Sequence, residues 1–333
     1  MPRDTVEASA PEKGPDEAST PEKGPGVTAR RLPVSWEQIL SALHDDRVRV
    51  PADALAAAQE IDDTSRRRNS TPVRKLFVRA ASADDADPPL ARLVQVGGRG
   101  GGVALKLYLA LIWRCSGEPF ETSKPHRAWA TLLGLEDPEG KGARRIASAL
   151  KTLRELGLVT VRRVPAEPNV VGLLDESLDG SPYLLPSNEY ARAPKGDQGD
   201  AQRAHNLYFK VPSRLWLEGD IQSLETPGLA MLLILLAEQA DGPNPVWFST
   251  TAFPARYRLS QKTRAAGTRE LELRGLVRVD RVPVSDVPGR TSVFDRRRTR
   301  NLYSLVGAAK ESAAIVEAVA ASPPRTSTAS TSR

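Results

Sequence analysis

Leu153-Arg154-Glu155-Leu156-Gly157-Leu158-Val159-Thr160-Val161-Arg162-Arg163-Val164-Pro165 returns 118 residues later (271 − 153) as Leu271-Glu272-Leu273-Arg274-Gly275-Leu276-Val277-Arg278-Val279-Asp280-Arg281-Val282-Pro283. Leu, Gly, Leu, Val, Val, Arg, Val and Pro keep their places. Each copy reads as the end of a helix, a glycine just beyond it, and a strand that alternates apolar and polar residues. Glycine supplies the left-handed backbone that closes a helix, and the alternation gives a strand with one buried face.

The surroundings repeat too. Ahead of the first copy, Leu76-Phe77-Val78 is a strand candidate, and a long loop carries Asp84, Asp85 and Asp87. Val103 to Trp113 is apolar almost all round and predicts a buried first helix. Ser123-Lys124-Pro125 opens a second helix that ends at Leu133-Gly134-Leu135. Lys141 to Leu156 is a third, with Ala143, Ile146, Leu150 and Leu153 at helical spacing. Val159 to Val164 is the following strand, with Tyr183-Leu184-Leu185 as its return. Ahead of the second copy, Leu207-Tyr208-Phe209 answers Leu76-Phe77, and Leu229 to Glu238 is again apolar on nearly every side. Thr250 to Arg258 is a second helix with Pro254 inside it, and Ser260 caps a third that runs to Leu273. Val277 to Val282 and Asn301 to Leu305 form the closing strands.

Residues 1–30 contain a ten-residue repeat, Glu7 to Pro15 followed by Glu17 to Pro25. Pro, Glu, Lys and Gly without apolar anchors predict a disordered arm, and the Ser/Thr/Pro-rich end predicts a disordered tail. Residues 31–71 hold two short helices, one opened by Ser35-Trp36-Glu37-Gln38 and one by Pro51, then a linker with Arg66, Arg67 and Arg68. The division read from the sequence is therefore a first domain at 72–190, a polar linker at 191–205, a second domain at 206–307, and a short helix and tail at 308–333.

The 333 residues carry a net charge of +6, with 40% hydrophobic and 26% charged residues. Basic charge gathers at the repeat. Residues 141–163 hold seven Lys/Arg against one Glu, and residues 256–281 hold eight against three acids. Such a balance favours a polyanionic partner. One cysteine, Cys115, permits no disulfide within the chain, no apolar signal core is present, and the longest apolar run is too short to span a bilayer. These observations predict a cytoplasmic protein.

Leu259-Ser260-Gln261-Lys262-Thr263-Arg264, Glu270-Leu271 and Arg274-Gly275-Leu276-Val277 resemble the recognition-helix pattern of the winged helix-turn-helix family. Leu133-Gly134-Leu135, Leu153 and Gly157-Leu158-Val159 resemble it in the first copy. The resemblance covers roughly Pro72 to Gly307. It implies an α+β, mainly helical fold: two winged helix-turn-helix domains in tandem. Tandem winged helices also resemble bacterial transcriptional regulators and plasmid replication initiators. Two departures from the pattern stand out, one of them Pro254, which interrupts the expected second helix. Arg264 and Thr268 stand where the family has apolar residues, so the third helix of the second copy packs unusually or is rotated.

The resemblance implies third helices that enter the major groove of double-stranded DNA. Lys141, Arg144, Arg145, Ser148 and Lys151 then face the DNA in the first copy, with Arg144 and Arg145 suited to guanine O6 and N7. Gln261, Lys262 and Thr263 begin the corresponding helix of the second. Arg162, Arg163, Arg278, Arg281, Arg296, Arg297 and Arg298 of the wings suit phosphates or the minor groove. A homodimer is left open. The contrasting reading is a protein-interaction module whose basic faces are merely solvated.

No constellation points to an enzyme or a cofactor. The glycine run from Gly97 to Gly102 fits neither a dinucleotide fingerprint nor a phosphate loop and reads as a flexible loop. His44, His126 and His205 lie far apart and form no metal pair with one another or with Cys115. Cys115, Trp113, Trp129 and Trp247 read as core residues.

Overall fold

The computed structural model describes residues 50–66, 69–80, 82, 85–96, 98–240, 245–283 and 299–310. The N-terminal repeat, the helix read at residues 35–38, Arg67, Arg68, Arg290, Arg296, Arg297, Arg298 and the C-terminal tail lie outside these residues. The described chain is α+β, with helices and small antiparallel sheets.

The first half runs through helix α1 (Ala52–Thr64), strand β1 (Ser70–Arg74), α2 (Pro89–Gln95), α3 (Gly98–Arg114), β2 (Glu121–Ser123), α4 (His126–Leu132), α5 (Lys141–Glu155), β3 (Val159–Arg162) and β4 (Val170–Leu173). Helices α6 (Pro186–Arg192) and α7 (Asp197–His205) follow. The second half has β5 (Tyr208–Pro212), α8 (Arg214–Leu217), α9 (Asp220–Ser223), α10 (Thr226–Gln239), α11 (Ala252–Tyr257), α12 (Gln261–Leu273), β6 (Val277–Pro283) and β7 (Thr299–Leu305).

The repeated phrase closes its helix the same way twice. Gly157 and Gly275 have φ of +80° and +66°. In the first copy Leu158 N–H donates to the Leu153 carbonyl and Gly157 N–H to that of Arg154; in the second, Leu276 donates to Leu271 and Gly275 to Glu272. This double bond satisfies carbonyls that a helix end leaves open. No atom lies within 4 Å of a Cβ added at either glycine, so the left-handed turn alone explains the residue.

The topology repeats with it. In the first half the sheet order is β2-β4-β3, and Thr122 and Val161 flank Val171 from either side. In the second, Val246 and Val279 flank Tyr303, with Val246 supplying a single bridge in place of a strand. Helix α5 packs on α3 as α12 packs on α10. From Leu229 to Ala237 every residue of α10 is buried, as a helix apolar on all sides requires.

The halves share one core. Strand β1 pairs with β5, antiparallel, from Ser70 opposite Pro212 to Arg74 opposite Tyr208. Trp113 stacks on Trp216 with ring centroids 5.4 Å apart. Beside this junction Arg74 is buried. Its guanidinium pairs with Glu176, lies 3.1 Å from the Asp175 carboxylate, and donates to Asn206 Oδ1 at 3.0 Å and to the Leu184 carbonyl at 2.8 Å. His205 Nε2 lies 3.2 Å from Asp175. Burial pushes the Glu176 carboxyl up. Burial works the same way on Asp175, but the His205 hydrogen bond and the Arg74 charge outweigh it and hold that group at about 2.

Several elements differ from the sequence reading. The first strand lies at Ser70–Arg74, and Lys75–Phe77 is a 3-10 turn. The return strand of the first hairpin is Val170–Leu173 rather than Tyr183 to Leu185; Tyr183 is buried against Phe120 at the end of that sheet. The polar linker folds into α6 and α7, and Asn206 fastens its end to Arg74.

From Gly98 onward the glycine run is helical. A Cβ at Gly101 would sit 2.2 Å from the Leu93 carbonyl oxygen of α2, and one at Gly102 would sit 2.4 Å from Thr226 Oγ1 of α10. The glycines therefore serve close approach rather than flexibility. Pro254 is the third residue of α11, where its missing N–H would have no helical partner in any case.

Candidate nucleic-acid interface

Helix α5 separates two chemistries by its own periodicity. Ile146, Ala149, Leu150 and Leu153 are buried against the core, while Lys141, Arg144, Arg145, Ser148 and Lys151 are exposed. Its start is fixed by Asp137, whose carboxylate accepts from the Gly140 and Lys141 backbone N–H at 3.1 and 2.9 Å. Those bonds, that of Lys141 foremost, hold the Asp137 carboxyl below the usual range. Arg144 folds back so that Nε donates to the Gly140 carbonyl at 3.3 Å.

Lys141, Arg144 and Arg145 have no ion pair with a described residue. Lys151 has Glu155 one turn on, at 3.8 Å, and Arg162 has Glu121 at 3.6 Å across the sheet. Arg145 lies within electrostatic reach of Lys106 on α3. Burial brings the Lys106 amine on α3 down to about 8; Glu225 and Glu270 oppose that shift, and the charges of Arg274 and Arg145 add to it.

Between α5 and the β3–β4 hairpin lies a groove of about 270 Å³. Ala147, Leu150 and Val161 form its apolar surface, and His126, Lys151, Arg154, Arg163 and Asn169 its polar one. Lys151 and Arg163, read from separate elements of the sequence, meet here. Arg154 joins them and was missed as a site residue, although it stands three residues from Lys151 and therefore on the same helical face. Burial lowers the pKa of His126.

The corresponding helix of the second half is differently equipped. Ser260 Oγ accepts from Thr263 N–H at 3.1 Å, which commits Thr263 to the cap. Gln261 is exposed, but its side-chain amide donates to the Thr250 carbonyl and its oxygen accepts from Arg264 at 3.3 Å. Lys262 and Arg281 are exposed and without an ion pair to a described residue. Arg278 pairs with Asp280 at 3.1 Å.

Gly267, Thr268 and Leu271 are buried at the positions of Ala149, Leu150 and Leu153, each 118 residues on, so α12 is not rotated. Arg264 stands where Ile146 does (146 + 118). Its guanidinium lies 5.3 to 5.8 Å from the ring centroids of Phe253, Phe248 and Tyr303 and donates to the Tyr303 hydroxyl at 3.0 Å. An aromatic cage thus replaces an aliphatic contact.

Trp113, Trp129 and Cys115 are buried as read, but Trp247 is 51% exposed. It stacks with Arg300, whose guanidinium carbon lies 4.4 Å from the ring centroid. A separation of 53 positions (300 − 247) hides this pair from any local reading.

Among the described residues no three His, Cys, Asp or Glu are grouped so as to hold a metal ion, and no helix is long and apolar enough to cross a membrane. Comparison with protein-family models, with curated proteins and with solved structures finds no match to this chain.

Proposed function

We propose that this chain binds double-stranded DNA sequence-specifically through two winged helix-turn-helix domains in tandem, and that the first half is the principal reader. The observation that carries this reading is the state of charge on α5. Lys141, Arg144 and Arg145 project from the first two turns with no ion pair to a described residue, and the nearby Asp137 carboxylate is taken up by the first backbone N–H groups of the helix. A basic face kept only for solubility gains from interspersed acids; a face for phosphates and guanine edges is weakened by them. The order helix, strand, two helices and a two-stranded hairpin in the first half, matched in the second with the single bridge residue Val246 in place of the strand, supports the domain assignment. The second half supplies fewer free groups at its helix start, where Gln261 and Thr263 are engaged locally.

Transcriptional regulation and plasmid-type initiation of replication are the roles this binding suits. Selection from a random duplex pool, with wild type and with Arg144→Ala/Arg145→Ala, tests the reading. One enriched motif, lost in the variant, is the expected result. A motif that survives the variant moves the reading to α12. No enrichment by the wild type, with weak binding only, overturns the DNA reading in favour of a protein-interaction module. Affinity should fall with salt at a log–log slope of about −0.9 per phosphate contact.

A further inference from the structure

The second half carries a surface that the α12 residues do not explain. Residues directly opposed across β6 and β7 share a face of their sheet. Val277 with Leu305 and Val279 with Tyr303 form the covered face; Arg278 with Ser304, Asp280 with Leu302, and Val282 with Arg300 form the other. Trp247, next to the bridge residue Val246, adds to that second face by stacking on Arg300. An indole half in water is an unusual expense in a chain whose Trp113, Trp129 and Trp216 are each at most 3% exposed. Arg300 has no ion pair with a described residue.

The segment that carries Trp247 is also tied to the candidate reading helix. Gln261, the first residue of α12, donates to the carbonyl of Thr250, three residues beyond Trp247.

We propose that Trp247 and Arg300 form a clamp for one sugar–phosphate strand of the bound DNA, the guanidinium taking a phosphate and the indole packing on the adjoining deoxyribose or base. This inference rests on the DNA-binding reading above. A cation held on an aromatic face matches a chain that alternates anionic phosphate with apolar sugar. A second copy of this protein matches it poorly, because the sequence entering β7 is Arg296-Arg297-Arg298-Thr299 and the net charge is +6, so two copies would bring like charges together.

The test uses the full chain and a 30-base-pair duplex of mixed sequence, with Trp247→Ala, Trp247→Phe and Arg300→Gln measured against wild type. Trp247→Ala and Arg300→Gln each weaken binding about tenfold, and Arg300→Gln makes the log–log salt slope shallower by about 0.9. Trp247→Phe keeps most of the affinity, because a ring remains, while removing the duplex-induced change in tryptophan fluorescence. Wild-type affinity and slope in both Trp247→Ala and Arg300→Gln overturn the clamp and leave the DNA reading standing. A change in sedimentation on Trp247→Ala without a change in DNA affinity also overturns it, and assigns the face to self-association. Failure of the wild type to bind the duplex at low salt refutes the DNA reading itself, and the clamp with it.

Discussion

Replacing Arg74 by Met keeps a long apolar stem at the junction of the two halves and removes the guanidinium from Asp175, Glu176, Asn206 and the Leu184 carbonyl. The Arg74 and Glu176 side chains are 1% and 0% exposed, so water cannot take the lost donor's place. Removing one partner of a buried ion pair costs about 3–5 kcal/mol, chiefly through the charge left behind. That charge sits on Glu176, because Asp175 retains His205 and the Ser177 N–H at 2.9 Å. At about 2–4 °C per kcal/mol for a domain of roughly 200 residues, the thermal midpoint at pH 7.5 should drop by about 6–20 °C.

The pH dependence gives a sharper test. In the wild type, Asp175 at about 2 contributes stability above its unfolded value near 3.8 that is lost as the pH falls toward 2. Glu176 behaves oppositely: its folded pKa is raised, so stability is gained as the pH falls through the folded value toward 4.5. Without Arg74 that second effect grows and starts at higher pH. The gap between wild type and Arg74→Met, measured by calorimetry, should therefore be widest above neutrality and narrow toward pH 5. Arg74→Met/Glu176→Gln should recover part of the loss at pH 7.5. A loss below about 1 kcal/mol, set against the expected 3–5 kcal/mol, or a gap that is flat with pH, would refute the assignment of this cluster as a buried, mutually dependent pair.

Two further tests address the glycine run and the tie between the two halves. Gly101→Ala drives a Cβ toward the Leu93 carbonyl oxygen and should cost about 1–3 kcal/mol in urea unfolding, because backbone must move. Gly100→Ala meets no atom within 4 Å and should stabilise α3 by up to about 1 kcal/mol; equal effects at both positions would exclude the close approach of α3 to α2. His205 has its pKa raised, first by the Asp175 hydrogen bond, so its contribution is full below 6.5 and fades as the pH rises through the folded value. His205→Gln should flatten the fall of the thermal midpoint between pH 6.5 and 8, and an unchanged slope would show that Asp175 does not bind the imidazolium.

The repeated phrase determined a good deal by itself. Its glycines demanded a left-handed turn wherever they lay, and the alternation after them left one strand face apolar, so helix–turn–strand was legible twice. The 3.6-residue spacing on α5 likewise separated Ile146, Leu150 and Leu153 from Arg144, Arg145 and Ser148 before any neighbour was known. Local spacing could also have placed Arg154 beside Lys151.

Tertiary structure decided what depends on residues far apart. Composition makes glycines look flexible, yet Gly101 and Gly102 are helical, and they are glycine because Leu93 and Thr226 come within a Cβ's reach. The segment at 191–204 looks like a linker, yet it is helical and fastened through Asn206 to Arg74. An arginine in an apolar position looks like a misfit, but Phe248 from a loop, Phe253 from a helix and Tyr303 from a strand converge on Arg264. Trp247 looks like core until its sheet leaves that face uncovered and Arg300 rests on it. Periodicity fixes which way a side chain leaves its own helix or strand; only packing across the whole chain fixes what it meets there.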